Sequence, residues 1–306
     1  MPLAPMSALL KKAEEHRFAV GYFEAWNLES LLAVKDAAEE SSSPVIIGFN
    51  GGFLENHQRR QRENVFHYGA LALAVAVQST VPMAVILNEA TRISTLKEAL
   101  EAGFNVIMHD HAGCSFEEAM VINRELVEHA RAFGAEVEAE IGMLPEVDAT
   151  TGLRSAGKKT DVESAVEFVS KTKIDALAVA VGNVHVLESG NSRLDLALIK
   201  SLRASLAVRL VLHGGSGILA DDLKEAIVLG ISKVNVGTIL RRAYVNTLKG
   251  FLESREIDRI DPGELTSTGG QSDMLALARK SVKDEVAKLM VVFGSVGKEH
   301  LYSKDL

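Results

Sequence analysis

Two histidines, several carboxylates and a glycine-rich run carry most of the chemical potential of this sequence. The run is His213-Gly214-Gly215-Ser216-Gly217. Its glycines let backbone N–H groups approach an anion closely, which suits a phosphate, although the same residues also make an ordinary turn into a helix. Asn235-Val236-Gly237-Thr238 adds an amide, a flexible glycine and a hydroxyl. Alone it reads as a helix start, Thr being a common N-cap; beside the first run it extends the same anion pocket. His185, in Gly182-Asn183-Val184-His185, pairs with His213 as a second imidazole. One loop histidine is usually a surface residue, but two at neighbouring strand ends suit a metal, and histidine with carboxylate is a donor set that zinc accepts. Glu89, in Asn88-Glu89, is then a candidate third ligand that leaves one position open for substrate; the competing reading is a solvent-facing carboxylate in the turn before Thr91. Asp110 and Glu140 end adjacent strands, and such a pair is costly unless it shares a cation or a proton. His109 and His111 flank Asp110. Strand alternation sends them to the opposite face, so they read as structural.

These residues fall at or just past short apolar runs at 18–23, 44–49, 83–87, 106–110, 136–142, 176–182, 209–213 and 233–236. Near-continuous Val, Ile, Ala and Leu is what parallel strands buried on both faces require. Amphipathic stretches separate them, at 28–40, 63–78, 91–102, 116–133, 194–204 and 221–229, with another beginning at Thr160 or Asp161. Ser115 and Glu118 form a capping-box pattern at the start of one of them. Eight strands alternating with such helical stretches predict an α/β fold of the (β/α)8 TIM-barrel type, with its chemistry at the C-terminal ends of the strands. A doubly wound sheet is disfavoured, because no Gly-x-Gly-x-x-Gly follows the first strand. Extra helices are expected at 7–15 and 274–292, the latter covering a barrel face or meeting another subunit. With no Pro/Gly/Ser linker, one domain is expected over 1–306, the barrel spanning about 17–255 and a helical segment about 256–306.

Composition narrows the field. Apolar residues make up 47% and charged residues 24%, which is ordinary for a chain with a core. The net charge of −8 leaves no basic surplus to neutralise phosphates along a nucleic acid. The single cysteine, Cys114, excludes a disulfide framework within the chain. No apolar run reaches the ~20 residues that span a bilayer. Met1-Pro2-Leu3 followed by Lys11-Lys12 does not read as a signal peptide, so a cytoplasmic enzyme is expected.

From about residue 17 to 298 the sequence resembles the class II, metal-dependent aldolases that act on fructose and tagatose bisphosphates. The stretches that carry the likeness are Ala19-Val20-Gly21-Tyr22-Phe23, Ser43-Pro44-Val45-Ile46-Ile47, Val137-Glu138-Ala139-Glu140-Ile141-Gly142 and Asp175-Ala176-Leu177-Ala178-Val179-Ala180-Val181-Gly182. Leu212-His213-Gly214-Gly215-Ser216-Gly217, Lys233-Val234-Asn235-Val236-Gly237-Thr238 and Phe293-Gly294-Ser295-Val296-Gly297-Lys298 complete them. The resemblance implies a zinc-dependent retro-aldol cleavage of a ketose 1,6-bisphosphate to dihydroxyacetone phosphate and an aldehyde, as in glycolysis. Zinc would act as a Lewis acid on the keto group and stabilise the ene-diolate. Zinc ligands map onto His185 and His213. The phosphate cradle maps onto Gly214, Ser216, Asn235 and Thr238, with Gly182, Gly215 and Gly237 beside them. Asp110 and Glu140 fall near a second metal position, and Glu146 and Asp148 lie in a loop that carries acids. Arg279 matches an arginine that reaches the second phosphate from a neighbouring subunit, which implies a homo-oligomer, a dimer or tetramer.

The departures cluster on the third strand. The family reads His-Leu-Asp-His-Gly where this chain has Ile86-Leu87-Asn88-Glu89-Ala90. Glu89 thus stands for a zinc histidine and Asn88 for the catalytic aspartate, and an amide cannot exchange that proton, a function worth roughly 10²–10⁴-fold. Glu24 replaces a substrate-contacting asparagine, Val186 replaces a glycine after the zinc histidine, and Phe49-Asn50-Gly51-Gly52 fits the second strand's end only with a gap. The expectation is an aldolase-type lyase on a phosphorylated ketose with His185, His213 and Glu89 on zinc. The alternatives are a phosphosugar-binding homologue without turnover and an isomerase sharing the same proton chemistry.

Overall fold

The computed structural model describes residues 3–142, 147–148, 152–153, 157–183 and 193–302, and of 147–148, 152–153 and Ser216 only the backbone. Eight parallel strands close into a barrel. They are β1 Val20–Ala25, β2 Val45–Asn50, β3 Met83–Ala90, β4 Val106–His109, β5 Glu136–Ile141, β6 Ala176–Val179, β7 Arg209–Leu212 and β8 Ile231–Val236, each paired with its sequence neighbours and β8 closing on β1. Helices α1 Met6–Glu15, α2 Leu28–Glu40, α3 Gly51–Glu55, α4 Val65–Val77, α5 Ile93–Glu101, α6 Phe116–Ala132, α7 Val162–Thr172, α8 Leu196–Ser205, α9 Ala220–Val228 and α10 Thr238–Glu253 alternate with them. The short α11 Pro262–Thr266 and the long α12 Met274–Phe293 follow. This is the TIM barrel that the sequence predicts. Among the described residues no helix is long and apolar enough to cross a membrane.

Local signals explain the boundaries. Ser115 accepts from the Glu118 N–H while Glu118 caps the Ser115 N–H, the expected capping box of α6. Asp161 caps α7, whereas the Thr160 hydroxyl bonds the Ile141 carbonyl, so the helix begins after the aspartate. Alternation along each strand divides the core in two. Val45, Ile47, Val85, Leu87, Val137, Leu177 and Leu212 face the helices. Val20, Tyr22, Ile46, Ala84, Ile86, Met108, Ala178 and Val211 fill the barrel, whose N-terminal end is plugged by Met6, Leu9 and Leu10 of α1. The last helix, α12, packs across α2 and α10, and Phe293 stacks on Phe23 of β1. It therefore covers the seam between the first and last repeats.

Candidate active site

The two-residue period that fills the barrel continues to its C-terminal rim, where the inward positions turn polar. Glu24 is the penultimate residue of β1, Asn50 ends β2, Asn88 stands on β3, Asp110 follows β4, Glu140 stands on β5, His213 follows β7 and Asn235 lies on β8. His213 is the centre of this ring. It is 1% exposed. Its Nε2 lies 3.0 Å from Oε1 of Glu138, a fully buried carboxylate one layer deeper. With that nitrogen holding the proton, Nδ1 faces the rim with no hydrogen bond of good geometry, Glu140 Oε2 at 3.3 Å and Glu89 Oε1 at 3.5 Å. Burial opposes charge on this imidazole, yet Glu140, Glu138 and Glu89 together hold its pKa well above the ordinary value. Three carboxylates around one ring call for a positive charge at that point, a proton or a metal.

Glu89 reaches His213 by breaking the alternation. A regular strand that turned Asn88 inward would turn Glu89 outward. Instead the register of β3 against β4 shifts between Leu87 and Ala90, and Glu89 adopts φ +54°, a left-handed conformation rare outside glycine. Asn50 then donates from Nδ2 to Glu89 Oε2 at 2.6 Å and fixes the carboxylate. Strand β3 runs to Ala90, past the apolar run that ended at residue 87, because its last residues are the site.

Below the rim lies an ion pair that the sequence motifs contained but to which no role had been given. Lys233 and Glu138 are both fully buried, with Nζ to Oε2 at 2.7 Å, and Nζ also donates to Asn235 Oδ1 at 2.7 Å. Burial lowers the lysine pKa; on the carboxylate, burial is outweighed by Lys233 and His213, and its pKa falls. The signal was available: Glu136, Glu138 and Glu140 repeat at every second position of a buried strand, and a lysine interrupts the apolar β8.

On the β7–β8 side the glycine run does what an anion cradle needs. Gly214 takes φ +67° and leads into a 3-10 turn over Gly215–Gly217. A Cβ on Gly215 would meet Val234 at 2.6 Å, so the loop backbone lies directly on β8. Thr238 opens α10, a 16-residue helix whose first turn has no side-chain cap, with the Glu24 carboxyl close to its N-cap Gly237. Gly237 precedes it, and Gly182 turns after β6 at φ +103°. Asn88 Oδ1 and Asn235 Nδ2 are, like His213 Nδ1, buried without a hydrogen-bond partner. Orphaned polar atoms gathered at one rim mark a place where a ligand completes the bonding.

A cleft of 670 Å³ opens from Glu89, Asp110 and Glu140 toward α6 and α7. Burial first, then Glu89 and Glu140, raises the Asp110 pKa. His109, the last residue of β4, and His111, past its end, also border this cleft, and both rings are engaged by the surrounding framework. His109 Nε2 contacts the Thr91 carbonyl at 3.0 Å, and His111 is held by Asn123 with its pKa lowered by burial, and then by His109, to about 3. Arg279 is engaged within the chain by Asp36 of α2, Nε to Oδ2 at 2.9 Å. His185, Glu146 and the side chains of Asp148 and Ser216 lie outside the described residues.

The sequence model of the family described as "Fructose-bisphosphate aldolase class-II" matches residues 4–298. The chain belongs to that family. The fructose-bisphosphate aldolase of Geobacillus stearothermophilus is 33% identical over 308 residues, covering 97% of this chain and 99% of that one. The 6-phospho-5-dehydro-2-deoxy-D-gluconate aldolase of Halalkalibacterium halodurans is 32% identical over 279 residues, 89% and 92% of the two chains. The crystal structure of the YdjI aldolase from Escherichia coli K12 superposes with a TM-score of 0.80 at 31% identity, covering 97% and 99%. Among the described residues no group of three His, Cys, Asp or Glu forms a complete metal-holding set. The orphaned, buried Nδ1 of His213 facing two carboxylates is nevertheless donor chemistry that fits a divalent cation.

Proposed function

We propose that this chain is a zinc-dependent aldolase that cleaves a phosphorylated ketose, fructose-bisphosphate-like in its keto half, to dihydroxyacetone phosphate and an aldehyde. The observation that carries the reading is the His213 imidazole, locked through Nε2 to Glu138 and presenting an unbonded Nδ1 to Glu89 and Glu140. His213 and Glu89 would hold the metal, with Glu140 beside them and His185 as the further histidine. Zinc, when bound, supplies Lewis-acid polarisation of the keto group.

The chain's own residues do the rest. The Gly214–Gly217 loop and the N-terminus of α10 receive the phosphate and so fix where the keto carbons lie. Glu138 keeps the proton of His213 on Nε2, and Asn50 keeps Glu89 turned to the rim. In cleavage the C3–C4 bond breaks with its electron pair left on the keto fragment. The C4 hydroxyl gives up its proton and becomes the aldehyde, and the fragment's C3 later takes a proton. Asn88 cannot carry that proton, so the carriers at the rim are the carboxyls of Asp110 and Glu140, which face the same cleft.

The test is cleavage of fructose 1,6-bisphosphate by zinc-loaded protein with and without EDTA, followed by other phosphorylated ketoses. EDTA-sensitive turnover supports the reading. Inert zinc-loaded protein across the whole series overturns it, and tight dihydroxyacetone phosphate binding without turnover then favours a phosphosugar-binding protein, the reading that Asn88 motivates.

A further inference from the structure

A second cleft of 330 Å³ opens on the other side of the rim, between the residues after β1 and β2 and the first turn of α10. Asn50 joins the two sides, since it lines this cleft and donates to Glu89. Around the barrel β8, β1 and β2 are consecutive, so this cleft adjoins the glycine-loop side of the rim through β1.

We propose, on the basis of the aldolase reading, that this cleft receives the far end of the substrate and is built for an uncharged, polyhydroxylated group rather than a second phosphate. Its two guanidiniums are already neutralised. Arg241 donates to Glu24 from Nε at 3.0 Å and from Nη2 at 2.6 Å, and it is sandwiched over the rings of Trp26 at 4.7 Å and Phe53 at 4.6 Å. Glu24 is 8% exposed, at the position where the resemblance expects an uncharged asparagine. Arg59 is paired with Glu63, which also accepts from the Tyr68 hydroxyl, and its Nη1 donates to the Phe53 carbonyl. Arg279, the further cation expected at a second phosphate, is held by Asp36.

Among the described residues, then, each of these arginines carries its own carboxylate. A phosphate dianion entering here would have to displace Glu24 or face it. What the walls offer instead are the faces of Trp26, Phe53 and Tyr68 for the C–H surface of a sugar chain, and the amides of Asn56 and Gln58 for its hydroxyls.

Trp26 is the sole tryptophan of the chain, so its emission reports occupancy of this cleft without any need for turnover. The full-length protein is titrated with erythritol and with erythritol 4-phosphate. The expected result is a saturable change with erythritol and a need for about tenfold more of the phosphate ester, a penalty of about 1.4 kcal/mol. In Glu24→Gln, which frees Arg241, the order reverses. Tighter binding of the phosphate ester by the wild type, or no saturable response to either probe, overturns the proposal. Both results are read on the wild-type protein and do not depend on the variant folding. The two readings fail separately: protein that cleaves ketoses but prefers the phosphate ester loses only this inference, and inert protein with the expected order loses only the aldolase.

Discussion

Replacing Glu138 by leucine isolates the interior ion pair beneath the rim. The variant leaves Lys233 with no carboxylate in a position that is fully buried, where removing one partner of a buried pair costs about 3–5 kcal/mol. A second route gives the same size. The folded variant can escape the buried charge by releasing the lysine proton, and from an ordinary value of 10.5 that costs about 5 kcal/mol at pH 7, at about 1.36 kcal/mol per unit. The deprotonation route is therefore a ceiling, and it sets the pH dependence. The unfolded variant binds a proton that its folded form does not, so its stability rises with pH and the penalty fades as the pH nears the ordinary lysine value. Urea unfolding in EDTA, from pH 7 to pH 10, measures both. The double variant Glu138→Leu/Lys233→Met regains most of the loss, except the part due to the missing His213 bond, about 1 kcal/mol. A single variant within 1 kcal/mol of wild type, or a double variant no better than the single, would refute the view that these charges compensate each other.

Three further outcomes follow from the geometry. Asn88→Asp adds a carboxyl at a buried rim position, yet with Asp110 and Glu140 carrying the proton it is expected to change ketose cleavage by less than about tenfold; a gain of about 10²-fold in a stopped assay would show that proton transfer is what the wild type lacks and would refute those two carriers. Gly215→Ala places a Cβ 2.6 Å from Val234 and forces the loop off β8, so dihydroxyacetone phosphate binding by calorimetry should weaken by about tenfold, and equal affinity would detach the loop from phosphate binding. Asp273→Ala removes the cap of α12, which accepts from the amides of Gly269, Leu275 and Ala276, at a cost of about 1–2 kcal/mol. Although burial opposes it, those amides lower the Asp273 pKa, so the difference from wild type is full above about pH 4 and closes as the pH falls through the folded-state value. A difference that persists in acid would mean that the carboxylate is not the source.

The barrel was legible because strands buried on both faces must be apolar almost throughout, and most predicted elements lie within a few residues of the observed ones. The errors sit where strands become the site. Polar Glu24 hid the end of β1, and Asn88-Glu89 hid the last turn of β3 toward the rim. Phe18 and Ala19, which look like strand, are apolar because they are buried in the two cores, not because they pair. His213, Glu140 and the glycine loop were visible by type and position. Glu138 and Lys233 were visible as charges on buried strands but not as a pair, since they sit on strands far apart in sequence and their role follows only from the partner the fold supplies. Nor could the Glu24–Arg241 pair be read, because it joins β1 to α10 through contacts that no spacing encodes.

The ends of β2 and β3 behave as one unit, which explains why the resemblance faltered at both. The left-handed turn at Glu89 brings Ala90 against the residues after β2, where a Cβ on Gly51 would lie 2.4 Å from the Ala90 Cβ and one on Gly52 would lie 3.2 Å from the Glu89 carbonyl. Asn50, one residue earlier, supplies the amide that holds the Glu89 carboxylate and caps α3 with its own oxygen. Asn50-Gly51-Gly52 and Asn88-Glu89-Ala90 therefore fit each other. Substituting Glu89 by histidine alone would leave the Asn50 amide without its carboxylate acceptor. The two strand ends are thus coupled through the Asn50–Glu89 bond, and a change at one is felt at the other.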